Sequence, residues 1–187
     1  MEKFKKIILI ILGITILVSV WYFTVKPLLE KKTPEFEAFK KLYNNNSQIA
    51  LNTDNYSILK KSGEISKENV NVSFEFSGTD TILEIDTNKE TTIKLDINSK
   101  IDNGKFKMVL VSPHNEITSI CKGSHKKVKE FNLMQGKSRI KVVGLAAKGS
   151  LNLKVIPSKK EEIKEITPLT NGLETNENKT QNKEKNK

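Results

Sequence analysis

Val70-Asn71-Val72-Ser73-Phe74-Glu75-Phe76 carries the clearest signal of the fold. Apolar and polar residues alternate along it without a break, so Val70, Val72, Phe74 and Phe76 share one face of an extended chain while Asn71, Ser73 and Glu75 share the other. The same period of two returns downstream. Leu83 and Ile85 alternate with Glu84 and Asp86, Ile93, Leu95 and Ile97 with Lys94 and Asp96, and Leu151, Leu153 and Val155 with Asn152 and Lys154. Turn-forming residues punctuate these runs at Ser77-Gly78, Thr87-Asn88, Asp102-Asn103-Gly104, Ser112-Pro113, Gln135-Gly136 and Lys148-Gly149. Roughly seven or eight short strands over residues 69–156 predict a mainly β domain, a small antiparallel β-sandwich of immunoglobulin-like or jelly-roll kind. Cys121 is the only cysteine, so the domain has no internal disulfide and must hold by packing.

Upstream the pattern changes completely. Residues Ile7 to Val25 carry no charge and are mostly Ile, Leu and Val. As a helix rising about 1.5 Å per residue they match a hydrocarbon layer of ~30 Å, and Trp21, Tyr22 and Phe23 fall where amphipathic rings settle at the headgroups. The run predicts a transmembrane signal-anchor helix over 7–25, behind a cytoplasmic segment 1–6. No small-x-small exit follows it for signal peptidase, so the helix is expected to be retained. Lys3, Lys5 and Lys6 precede the run, whereas residues 26–40 carry four Lys against three Glu. Positive-inside bias then predicts a single-pass protein of the cytoplasmic membrane, with its N-terminus in the cytoplasm and its β domain outside the membrane.

Residues 26–68 read as a stalk. Within it Thr33-Pro34-Glu35 starts a short helix, expected over 34–43, with Phe36, Phe39 and Leu42 on one face and Asn44-Asn45-Asn46 ending it. Residues 157–187 hold seven Lys, six Glu and no aromatic residue, the composition of a disordered polar tail.

Charge is the main functional signal. Residues 69–99 hold six acids and two lysines, residues 100–156 twelve Lys or Arg and three acids. Lys137, Arg139 and Lys141 alternate on one expected strand, and Lys105 and Lys107 do so on another. Such a set makes a candidate basic surface for an anionic partner, a cell-envelope polymer or a protein. Arg139 is the only arginine, which argues against nucleic acid as the partner. No aromatic platform for neutral sugar is expected, because Tyr22, Tyr43 and Tyr56 all precede the strands.

No cofactor or metal is expected. Cys121-x3-His125 supplies too few ligands for structural zinc, and Glu75, Glu84, Asp86 and Asp96 match no calcium loop. The one possible nucleophile set, Cys121 with His114 or His125 and Arg139, lacks a recognisable motif. The sequence therefore predicts a noncatalytic binding module at the cell envelope. The alternatives are a structural subunit of a membrane-associated assembly and, more remotely, a cysteine-dependent surface enzyme.

Overall fold

The computed structural model describes residues 2–21, 34–171 and 173. Two units are distinguished, residues 1–37 and 38–187. In the first, helix α1 spans Glu2–Val20 and leaves Phe4, Ile11, Ile14, Ile16, Leu17, Val18 and Val20 exposed. Among the described residues no helix is long and apolar enough to cross a membrane. Helix α1 begins with Glu2, Lys3, Lys5 and Lys6, and the last four residues of the expected 7–25 span lie outside the described residues.

Helix α2 (Pro34–Asn44) runs from the first unit into the second, which continues with the one-turn α3 (Asn46–Ile49). Between them Asn45 turns extended, and its side chain accepts from Gln48 N at 3.1 Å, capping α3. Among the described residues seven antiparallel strands follow: β1 (Tyr56–Ile65), β2 (Asn69–Thr87), β3 (Thr91–Val111), β4 (Ile117–Lys122), β5 (His125–Leu133), β6 (Gly136–Pro157) and β7 (Ile163–Pro168). Strand pairing thus extends on both sides of residues 69–156. Residues 56–65 of the expected stalk pair with β2, and Ile163–Pro168 of the expected tail pair with its other half. Residues 174–187 of that tail lie outside the described residues.

The expected short strands are in part long ones. Strands β2, β3 and β6, of 19, 21 and 22 residues, lie side by side along most of their length. At one end β1 and β5 flank them, giving the order β1-β2-β6-β3-β5; at the other, β7 and β4 give β7-β2-β6-β3-β4. One continuous sheet therefore supplies both layers of the sandwich. Its register slips between Phe76 and Gly78 and between Thr81 and Leu83 on β2, and at Asn103 on β3, where bulges let strands bend. Gly104 occupies a left-handed backbone position at φ 74°, and a Cβ there would lie 2.0 Å from Ala146 O on β6.

Bending brings the inner faces of the two ends together. Phe74, from one end of β2, stacks on Phe106, from the opposite end of β3, with ring centroids 5.2 Å apart. Val72, Leu95, Ile97, Met108, Leu151 and Leu153 belong to the same buried cluster. Each such side chain contributes about 1.5–3 kcal/mol on burial.

Candidate functional site

The two outer faces of the folded sheet differ in what lies over them. At the β7/β4 end, alternation along β6 places Lys137, Arg139, Lys141 and Val143 outward. Val143, with Val109 and Val111 of β3, packs against Ile49 and Ala50 of the N-terminal segment. The basic stripe is therefore mostly covered. Lys141 is wholly excluded from solvent: its Nζ donates to Leu51 O at 2.8 Å and pairs with Asp54 Oδ1 at 3.0 Å. Arg139 is 6% exposed and donates through Nη2 to Ala50 O at 3.0 Å and to Asn115 Oδ1 at 2.8 Å. Lys107 is also buried, with its Nζ 4.9 Å from the centre of the Tyr43 ring.

Of the five candidate residues only Lys105 and Lys137 are exposed, and Lys137 pairs with Glu84 at 2.8 Å. The period of two did put Lys137, Arg139 and Lys141 on one face, but the structure does not bring the five together as an open surface. Burial lowers the proton affinities of Lys107, Lys141 and Arg139; for Lys141 the Asp54 carboxylate partly offsets this. Asp54 is the hub of the cover. Its Oδ1 also accepts from Thr81 Oγ1 at 2.9 Å, and its Oδ2 accepts from Thr81 N at 3.0 Å. These bonds fasten residues 50–54 onto the sheet.

Beside this cover lies an open cleft of about 510 Å³, lined in part by Asp54, Tyr56, Glu84, Arg139, Leu169 and Asn171. Tyr56 is the first residue of β1 rather than a stalk residue, which places an aromatic ring at a cavity where the sequence predicted none. Burial chiefly, with the charges of Asp80 and Asp54, raises its phenol pKa. Arg139 Nη1 is buried at this site and has no hydrogen-bond partner among the described residues. Asn171 is held by a second buried pair: Lys61 Nζ contacts Asp80 Oδ2 and donates to Asn171 O at 2.9 Å.

The outer face at the β1/β5 end is open. The strand register aligns Glu64, Asn71, Asn152, Asn98 and Lys126 in one exposed row across five strands. A neighbouring row runs Ser73, Ser150 and Lys100, and another Asn69, Lys154, Asp96 and Val128. Two of the lysines on this face are neutralised, Lys94 by Glu130 at 3.1 Å and Lys148 by Glu75 at 3.6 Å. Lys100, Lys126 and Lys154 make no ion pair among the described residues. Sequence reading missed this surface because its lysines come from β3, β5 and β6, and only the register makes them neighbours.

The remaining candidates lie apart. Cys121 belongs to the inner core and Arg139 to the opposite face, so the two do not meet. Burial raises the thiol pKa of Cys121. The four acids considered for calcium do not converge on one site: Glu75, Glu84 and Asp86 each pair with a different lysine, Lys148, Lys137 and Lys164, and Asp96 lies on the open face across from Lys154. Among the described residues no group of three or more His, Cys, Asp or Glu could hold a metal ion.

No family model matches the chain, and no curated protein matches it. Among solved structures, it is similar to a family two carbohydrate esterase from Cellvibrio japonicus, with 12% identity and a TM-score of 0.34 over 60% of this chain and 32% of that one. The chain thus spans about a third of that protein's length. It is also similar to BiXyn10A CBM1 in its apo form, with 11% identity and a TM-score of 0.31 over 63% and 93% of the two chains. At these scores neither likeness bears on function.

Proposed function

We propose that this chain is a noncatalytic binding module displayed outside the cytoplasmic membrane, and that its open sheet face engages an anionic polymer of the cell envelope. The observation that carries this reading is the exposed row Asn71, Asn152 and Asn98, flanked by Lys100, Lys126 and Lys154 outside any ion pair among the described residues. Amides supply donors and acceptors at strand spacing, and the lysines supply positive charge held in no ion pair among the described residues. The apolar run 7–25 serves as the tether, a single span with its N-terminus in the cytoplasm. The exposed apolar side chains of α1 support that role, since water is a poor solvent for such a surface.

The test has two arms. Full-length protein in nanodiscs is passed over immobilised poly(glycerol phosphate) at increasing salt, beside the triple variant Lys100→Ser, Lys126→Ser, Lys154→Ser. Wild type is expected to be retained at low salt, and the variant to lose about 1 kcal/mol per lysine together with most of its salt dependence. Equal retention of the two proteins rejects the open face. In the second arm, externally added protease should cleave the β domain on intact cells, and the fragment containing residues 7–25 should stay with the membrane.

A further inference from the structure

The cleft beside the covered face differs from the open face in its chemistry. Most of the charge that lines it is already paired within the fold: both oxygens of Asp54 are occupied by Thr81, and one also by Lys141, while Glu84 Oε1 is taken by Lys137. No free pair of carboxylates remains to chelate a cation. The hydrogen-bonding capacity left over belongs to the side-chain amides of Asn52, Asn55 and Asn171, the Tyr56 hydroxyl and the second oxygen of Glu84, together with the unpartnered Nη1 of Arg139, a side chain that is 6% exposed. Each amide offers two donors and one acceptor, so donors and acceptors are interleaved around the cavity.

Such a lining suits a ligand whose own groups both donate and accept. A carboxylate or phosphate would meet the like charge of Glu84 and leave the amide oxygens without donors, and a metal ion would find a single free carboxylate oxygen. Vicinal hydroxyls satisfy both kinds of partner. The volume, about 510 Å³, falls within the ~300–1,000 Å³ of small-molecule sites, and Tyr56 and Leu169 add apolar surface for a C–H face. We propose that this cleft is a second binding site, separate from the open sheet face, and that it takes an uncharged sugar residue through Tyr56, Glu84 and the amides of Asn55 and Asn171. Its position is fixed by tertiary contacts: Asn55 N donates to Thr79 Oγ1 at 3.2 Å, and the Asn171 carbonyl accepts from Lys61, so both walls are anchored to the sheet.

The full chain in nanodiscs is examined by saturation-transfer NMR with cellotetraose, chitotetraose and mannotetraose, and with tetragalacturonate and inorganic phosphate as charged comparators. At least one neutral oligosaccharide is expected to receive saturation. The double variant Asn55→Ala, Asn171→Ala should bind it about tenfold or more weakly, as two lost hydrogen bonds imply, whereas Gln135→Ala, an exposed turn residue outside both surfaces, should bind it as wild type does. Both amides are exposed, so the variants are expected to fold, which the dispersion of their amide spectra would verify. The proposal is overturned if no neutral probe receives saturation, if only the charged comparators do, or if the double variant binds unchanged.

Discussion

Lys141 Nζ lies 3.0 Å from Asp54 Oδ1 with no solvent access to the lysine side chain, so a charge pair clamps the segment after α3 onto the sheet's outer face. Removing one partner of such a pair strands the other. Asp54→Ala is expected to destabilise the domain by about 3 kcal/mol, the lower end of the range for a buried charge left uncompensated, because Leu51 O and Thr53 O still accept from Lys141. Lys141→Met, which keeps the volume and drops the charge, should cost less. Urea unfolding of both single variants and the double variant gives the coupling energy.

Gly104 and Gly123 both have positive φ, 74° and 62°, but only Gly104 is closely approached by other backbone. Alanine at 123 should cost about 1 kcal/mol, for the backbone conformation alone. Alanine at 104, where a Cβ would press on Ala146 O, should cost more than about 3 kcal/mol or disrupt the bend. Thermal unfolding of the two variants distinguishes these outcomes.

Glu162 accepts from Thr91, Lys89 and Lys159, which hold its carboxyl pKa at about 2. Its folded pKa is thus depressed below the ordinary value of 4.5, so its stabilising contribution is complete above pH 4.5 and is lost as pH falls toward 2. The acid limb of stability should flatten in Glu162→Gln. A carboxyl titration followed by NMR should place the Glu162 midpoint near 2.

Cys121 is 4% exposed in the core, and burial disfavours its thiolate. Alkylation by a neutral maleimide should therefore be slow in the native state and should accelerate in step with unfolding as urea rises. Rapid native labelling would place the thiol at the surface instead.

Much of the sheet was legible because period two is a local property. Val70, Val72, Phe74 and Phe76 face the core, as do Ile93, Leu95 and Ile97, and their polar neighbours do not. Glycines were harder to interpret. Gln135-Gly136 and Thr87-Asn88 do separate strands, whereas Gly78, Gly104 and Gly149 lie inside long strands at bulges and close backbone approaches. A glycine signal is the same for a turn between two strands and for a bend within one, so sequence alone cut β2, β3 and β6 into shorter pieces.

Which side chains share a face follows from local sequence alone: Lys137, Arg139 and Lys141 emerge together because side chains along a strand alternate. Which outer face is covered depends instead on contacts between distant segments. The carbonyls and carboxylate that bury Arg139 and Lys141 come from residues 50–54, some 90 positions earlier, and no pattern within β6 encodes their arrival. The open row of Asn71, Asn152 and Asn98 depends likewise on the register among three strands. Hydrophobic pattern, turns and bulges fix that register jointly, so no single stretch of sequence contains it.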